Sequence, residues 1–467
     1  MLLGLCVEHL DSSSCQQVVS ELLLLVVQDN GHSETFLTLL NEIPVSKLAP
    51  QCLGVMRLLP LVMERELGEV RQIMELICRV VYSKHGHLRK LEDDVHQYLR
   101  KLKQHMENSF KLKGVISSVV VAKNVIIDDE SSYTATSNKD VLETSTGEIV
   151  TLTPRASHAK SFLDLDSKLC VNKKIEGSYY EDMSSALISI RKQDADKTFL
   201  VSEEFESAYV NDIEDIKLGE ELSLQFHLDS NATNTICIQI GNIVEKEMKT
   251  SSSNSRFSII MLCPIFKLLR TLLADNLGAI DALLGCGVPM PSPETYEEFY
   301  MMDSNEQRFC LDSWFHCINW FIELVNAFSN HTDTDNVRKV CRRVDQIITL
   351  LELVAEKLPK SHDYKPPNCK FHYDCKPKPL GPTKSKKGAT KPKGKKADKQ
   401  ENNETINGSA PVSNAAPAKP KQSKAHTGKR VMWWDVVTAY KPFFQELDME
   451  VFVLLSKELR APTETQV

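Results

Sequence analysis

The chain carries 467 residues, 42% hydrophobic and 25% charged, with a formal net charge of −7. That composition excludes a chain disordered throughout, and the mild acidity excludes a nucleic-acid-binding polycation over the whole surface. The length exceeds what one hydrophobic core commonly serves, so roughly two to four structural units are expected.

Residues 1–113 read as helix after helix. The start, Met1-Leu2-Leu3-Gly4-Leu5, lacks a basic leader and resembles a helix interior, so the natural chain is expected to begin upstream. Val19, Leu22, Leu23, Val26 and Val27 recur at three- and four-residue steps, which places them on one helix face. Leu48, Cys52, Val55, Met56, Leu58 and Leu59 repeat the pattern, as do Val70, Ile73, Met74, Ile77 and Val80. Asn30-Gly31, Pro44 and His85-Gly86 mark short turns between these runs. Leu88, Leu91, Val95, Tyr98, Leu102 and His105 form a heptad-like seam, too short for an independent coiled coil and expected to pack on the preceding helix. Consecutive helices with short connections imply an all-α fold, an α-solenoid or helical-repeat array, and no fixed period names a repeat family.

Residues 114–127 are apolar and β-branched, but a strand would need a partner that nothing nearby offers. A buried apolar helix is expected there. Residues 128–175 turn polar and Ser/Thr-rich and read as a mobile loop. Residues 176–360 form the next helical domain. Within them Leu222, Leu224, Phe226 and Leu228 alternate with polar residues, as do Ile236, Ile238 and Ile240, which allows one small β-hairpin. From Asn305 to Phe328 a wide apolar face carries Phe309, Trp314, Phe315 and Phe321, suited to a deep helix interface. An amphipathic helix follows from Asp335 to Leu358. Pro, Gly, Ser, Ala and Lys dominate 361–430, which reads as a disordered linker, and 431–467 begin a second helical solenoid.

The search for chemistry returns no Gly-rich phosphate loop, no Gly-x-Ser-x-Gly elbow and no His-Glu-x-x-His pair, so no catalytic residue is assigned. The 13 Cys are odd in number and follow no spacing rule. Cys6, Cys52, Cys78, Cys263, Cys286, Cys310 and Cys317 sit in apolar helical patterns and read as reduced, buried thiols of a cytosolic or nuclear protein. His362, Cys369, His372 and Cys375 are zinc-compatible, but they open a Pro- and Lys-rich linker without a second paired half, and no metal site is assigned. Lys384, Lys386, Lys387, Lys391, Lys393, Lys395 and Lys396 make a basic tract that suits nuclear import or DNA-phosphate contact, and equally a soluble, self-repelling spacer. The most apolar short run, Leu22 to Val27, is too short to span a membrane, and no cofactor is called for.

Several segments stand in the order of similar segments in a known family. These are Ser178-Tyr179-Tyr180-Glu181-Asp182-Met183, Cys263-Pro264-Ile265-Phe266-Lys267-Leu268-Leu269-Arg270 and Ile280-Asp281-Ala282-Leu283-Leu284-Gly285-Cys286. Ile318-Asn319-Trp320-Phe321-Ile322-Glu323-Leu324-Val325-Asn326-Ala327-Phe328 is the strongest match, joined beyond the linker by Phe443-Phe444-Gln445-Glu446-Leu447-Asp448-Met449-Glu450-Val451-Phe452. Together they resemble the middle of the Fanconi anaemia group D2 family. The resemblance implies paired α-solenoids and a nuclear, non-enzymatic scaffold of DNA interstrand-crosslink repair. Such a scaffold pairs with the paralogous Fanconi group I protein and encloses double-stranded DNA through phosphate contacts. It also implies one ubiquitin, attached by E2 and E3 enzymes to a lysine. Phe110-Lys111-Leu112-Lys113, followed by Gly114-Val115-Ile116-Ser117-Ser118-Val119, resembles the acceptor segment, which places the acceptor at Lys113 with Lys111 as the fallback. Leu112 departs from the family's aromatic residue there. The rival readings are a nuclear or cytosolic helical-repeat adaptor without a ubiquitin switch and, further off, a Cys-dependent enzyme.

Overall fold

The computed structural model describes residues 9–28, 31–83, 89–127, 141–143, 149–151, 154–163, 172–192, 204–215, 221–228, 236–249, 258–331, 333–361, 364–368 and 431–458. Among these the architecture is all-α, a helical array interrupted by three short antiparallel strand pairs.

The first half holds α1 (Ser12–Val27), α2 (Ser33–Glu42), α3 (Val45–Leu48), α4 (Cys52–Met56), α5 (Leu67–Val81), α6 (Arg89–Lys103) and α7 (Asn108–Ile127). The Asp11 carboxylate starts α1 by accepting from the Ser13 and Ser14 amides at 3.1 Å each, satisfying donors that a helix N-terminus leaves without partners. On α5 the periodic residues Val70, Ile73, Met74, Ile77 and Val80 are all buried. Each such side chain withdrawn from water contributes about 1.5–3 kcal/mol before entropy is charged against it. Leu91, Val95 and Leu102 of the α6 seam are buried as well, but the seam packs mainly on the following helix α7 rather than on α5. The cause is Gly114, whose missing side chain admits the α6 backbone: a Cβ there would stand 2.9 Å from Leu102 Cβ and from the Lys103 amide. Residues 114–127 do not stand apart from what precedes them, since α7 runs unbroken from Asn108.

Region 128–175 contains more structure than its polar composition suggests. Strands β1 (Val141–Glu143) and β2 (Ile149–Thr151) pair, and α8 (Pro154–Leu163) packs on α7. Few apolar residues sufficed for α8, because Ala159, Phe162 and Leu163 share one face and are buried. α9 (Lys173–Lys192) then lies between the halves, touching α7 on one side and the later α12 on the other.

The second half comprises α10 (Glu204–Tyr209), β3 (Val210–Asp212), β4 (Leu222–Gln225), β5 (Ile236–Ile238), α11 (Ile240–Lys249), α12 (Leu262–Leu272), α13 (Ala282–Gly285), β6 (Val288–Pro291), α14 (Pro293–Glu298), α15 (Ser304–Phe328), α16 (Thr334–Lys357), α17 (Trp433–Ala439) and α18 (Met449–Glu458). The alternating residues around 222 and 236 do form strands, but not a hairpin with each other. β4 pairs with β6, and β5 pairs with β3. Two glycines enforce this arrangement: a Cβ on Gly241 would meet the Pro289 carbonyl at 2.6 Å, and one on Gly287 would meet Leu224 at 2.7 Å. Arg343 of α16 ties the region together from inside. Its guanidinium donates to the carbonyls of Leu284, Cys286 and Phe226 at 2.9, 2.6 and 2.8 Å and lies 4.5 Å over the Phe321 ring.

α15 is the axis of this half. An Asp303/Glu306 capping box opens it, and nearly every residue from Cys310 to Phe328 is buried. Trp320 packs edge-on against Phe266 with centroids 4.7 Å apart, and Phe315 stacks on Phe444 at 5.1 Å.

Candidate functional site

Lys113 lies in the first turns of α7, the helix on which α5, α6, α8 and α9 converge. Its half-buried ammonium donates to the Met63 carbonyl at 2.6 Å, where a tight turn spans Leu59–Met63, and rests 5.6 Å from the Phe110 ring centroid. Burial pushes its pKa down, while the carboxylates of Glu66 and Glu107 pull in the other direction without cancelling the fall. The side-chain amine of Lys111, two residues earlier on the helix and also half-buried, has no hydrogen-bond or ion-pair partner among the described residues. The two candidate lysines therefore differ in kind. One amine is held against a carbonyl, the other is free.

Behind Lys113 the helix is deeply buried. Leu112 and every residue from Gly114 to Ala122 are buried, and the Ser118 hydroxyl turns back to the Gly114 carbonyl at 2.9 Å. Further along, Lys123 pairs with Glu75 of α5 at 2.6 Å. Arg71 of α5 grips Asp182 of α9 with two hydrogen bonds, 2.6 and 2.8 Å. From α9 the charges continue into the second half: Glu181 faces Lys267 of α12 at 4.0 Å, and Arg270 lies 3.2 Å from Glu323 and 3.5 Å from Asp448. The Arg270–Glu323 contact is an ion pair without hydrogen-bond alignment. Burial raises the Glu323 pKa, and Arg270 is the main group opposing that rise. No sequence pattern announced this chain of pairs. Its members lie as far apart in sequence as Arg270 and Asp448, and each reads singly as a surface charge on a helix.

A second set of contacts fastens the segment 443–448. The Asn319 amide donates to the Phe443 carbonyl at 3.1 Å and its oxygen accepts from the Gln445 amide at 2.6 Å. Two turns on, Asn326 donates to the Glu446 carbonyl at 2.8 Å and accepts from the Asp448 amide at 2.9 Å. Both asparagines had been read only as part of a resemblance, and their work is to hold backbone.

The Lys384–Lys396 tract and the Cys369, His372 and Cys375 cluster with His362 lie outside the described residues. Among the described residues no group of three His, Cys, Asp or Glu side chains is arranged to hold a metal, and no helix is long and apolar enough to cross a membrane. Cys78, Cys263, Cys286, Cys310 and Cys317 are buried thiols, Cys52 is half-buried, and Cys6 lies outside the described residues. Burial pushes Cys310 up to about 12 and holds Cys78 and Cys317 well above the ordinary thiol range, the reverse of what a nucleophile needs.

The family model described as "Fanconi anaemia protein FancD2 nuclease" matches residues 3–462. The chicken Fanconi anemia group D2 protein is 25% identical over 420 residues, covering 83% of this chain and 28% of the relative. The rat homologue is 26% identical over 423 residues, 84% of this chain and 28% of its own, and the Drosophila melanogaster homologue 23% over 314 residues, 61% and 21%. The chain thus spans little more than a quarter of the length of the curated vertebrate relatives it matches. A match over nearly the whole chain, on a helical array of the expected kind, places this protein in the Fanconi anaemia group D2 family.

Proposed function

We propose that this chain is the ubiquitin-switched part of a non-enzymatic clamp subunit that acts in the nucleus in interstrand-crosslink repair. Its partners would be the paralogous Fanconi group I protein and double-stranded DNA, with the Lys384–Lys396 tract available for import or phosphate contact. The observation that carries the reading is the setting of Lys113 on a deeply buried, family-matched helix, with its amine docked on the Met63 carbonyl.

That setting has a chemical consequence. A lysine attacks a ubiquitin thioester only as the neutral amine, and burial already favours that form. The same geometry withholds the amine, since the hydrogen bond to Met63 must break before the side chain can extend. Modification would therefore follow a movement of the α7 N-terminus away from the Leu59–Met63 turn, and the attached ubiquitin would hinder its return.

The test is ubiquitin attachment after crosslinker treatment, in cells expressing the full-length gene as wild type, Lys113→Arg or Lys111→Arg. Loss of the single-ubiquitin shift in Lys113→Arg alone supports the reading. Loss in Lys111→Arg alone moves the acceptor to the free amine. An unchanged shift in both removes these two lysines as acceptors, and no shift in any version leaves a helical adaptor without a ubiquitin switch. The word nuclease in the family description motivates a second assay, cleavage of a flap or crosslinked duplex with magnesium. Activity that survives in this chain purified to homogeneity would overturn the non-enzymatic part.

A further inference from the structure

Away from Lys113, a cleft of about 580 Å³ opens between α11 and the first turns of α15. Its rim and walls carry five carboxylates, Glu221, Glu245, Glu247, Glu306 and Asp312, against two bases, Lys249 and Arg308. Both bases sit at the exposed edge and are engaged, Lys249 with Glu245 and Arg308 with Asp312 at 3.2 Å. Glu247 has no ion pair within 4 Å among the described residues; its carboxylate accepts from the Ser258–Ile259 turn, the Ile259 amide at 2.8 Å, and is attracted at longer range by Lys173. Asp312 accepts from the Tyr364 hydroxyl at 2.8 Å, leaving lone pairs toward the cleft.

Acidity alone would not make a site, but the inner wall holds a second feature. His316, only 6% exposed, lines the cleft and has no hydrogen-bond partner among the described residues. The imidazole is open to the cleft and can accept a hydrogen bond from a ligand that donates one. Burial pushes His316 down to about 4, so at neutral pH it is uncharged and keeps an accepting nitrogen. Met248, Ile260 and Phe309 supply an apolar wall between the rim and this polar end.

Negative charge, an apolar passage and an inner acceptor fit a cation on an alkyl stem. They repel phosphate and nucleic acid. We propose that this cleft receives the lysine or arginine side chain of a basic peptide segment on a partner protein, with the stem along Met248 and Phe309 and the charged head between Glu247, Asp312 and His316.

The full chain would be titrated into a fluorescein-labelled peptide of alternating lysine and serine, with anisotropy as the readout. Saturable binding is expected. Glu247→Gln and Asp312→Asn should each weaken it about tenfold or more. Glu352→Gln, which removes the same charge from an exposed site on α16, should leave it about unchanged. A peptide with norleucine for lysine should not bind. Equal losses in all three variants, or equal binding of the norleucine peptide, would overturn the proposal in favour of diffuse surface attraction. Should Asp312→Asn fail to fold, methyl NMR of the wild type still decides. The Met248 methyl resonance must move on peptide addition, and movement confined to methyls elsewhere would sink the idea.

Discussion

Two helices, α7 and α15, run through this molecule with water excluded from almost their whole circumference, and they are closed in opposite ways. From Leu112 to Ile126, α7 presents mainly apolar and small side chains, and its neighbours fit it by shape, with Gly114 pressed to the α6 backbone. α15 instead carries Asp312, Asn319, Glu323 and Asn326 into the interior against polar partners. Shape-filled burial is tolerant of which apolar residue fills it. Polar burial is not, because each group needs a named partner, and those partners fix which segments may dock. Residues 443–448 are thereby placed by side chains far from them in sequence: Asn319 and Asn326 grip their backbone in one register.

The contrast yields graded expectations. The largest is Arg270→Met, which strands the buried Glu323 carboxylate and should cost about 3–5 kcal/mol in urea unfolding. Adding Glu323→Leu should return most of that loss. A small effect of the single variant would mean that polar burial on α15 is ornamental. Next, Asn319→Ala leaves the Phe443 carbonyl and Gln445 amide without their partner and should cost about 2–3 kcal/mol. Protease cutting at the segment near 443 should then begin well before global unfolding.

On the α7 side, Gly114→Ala should destabilise by about 2 kcal/mol, because the new methyl meets backbone and the gain in helix propensity is smaller than the overpacking. A stabilising outcome would show that α6 and α7 are looser than described. The smallest expected effect is in pH. His316 and His96 are each held down to about 4, so the unfolded chain binds protons first as the pH falls below 6.5. Stability is then fully present above that value and declines toward 4. One pH unit below the ordinary value, the buried His316 should account for about 1.4 kcal/mol, and the half-buried His96 for less because solvent screens its charge. Burial raises Glu247, Asp312 and Glu323, which work in the opposite direction lower in the range, so the slope is cleanest near its top. His316→Gln should flatten it, as read from thermal melts across that window.

Much of this was legible beforehand, for a local reason. Val70, Ile73, Met74, Ile77 and Val80 announce a helix and its buried face by their own spacing, and the structure buries all of them. Cys78, Cys263, Cys286, Cys310 and Cys317 are buried on the same apolar patterns, whereas Cys52 is only half-buried. Where reading failed, the missing information was non-local. The residues of β4 and β5 alternate correctly, yet their partners β6 and β3 were not the obvious neighbours, because glycines at 241 and 287 decide what may approach. The α8 helix escaped notice because three apolar residues are too few to show a period, although they suffice once α7 is beside them.

By itself, then, the sequence determined the helical array, the main apolar faces and the family, since each is written in contiguous residues at a spacing of three and four or in collinear segments. Only the tertiary structure decided that Lys113 rests on the Met63 carbonyl while Lys111 does not, that Arg71 meets Asp182, and that Asn319 and Asn326 hold residues 443–448. Those pairings depend on where whole helices come to lie, and a polar side chain takes its partner from whatever backbone or charge that packing brings within reach.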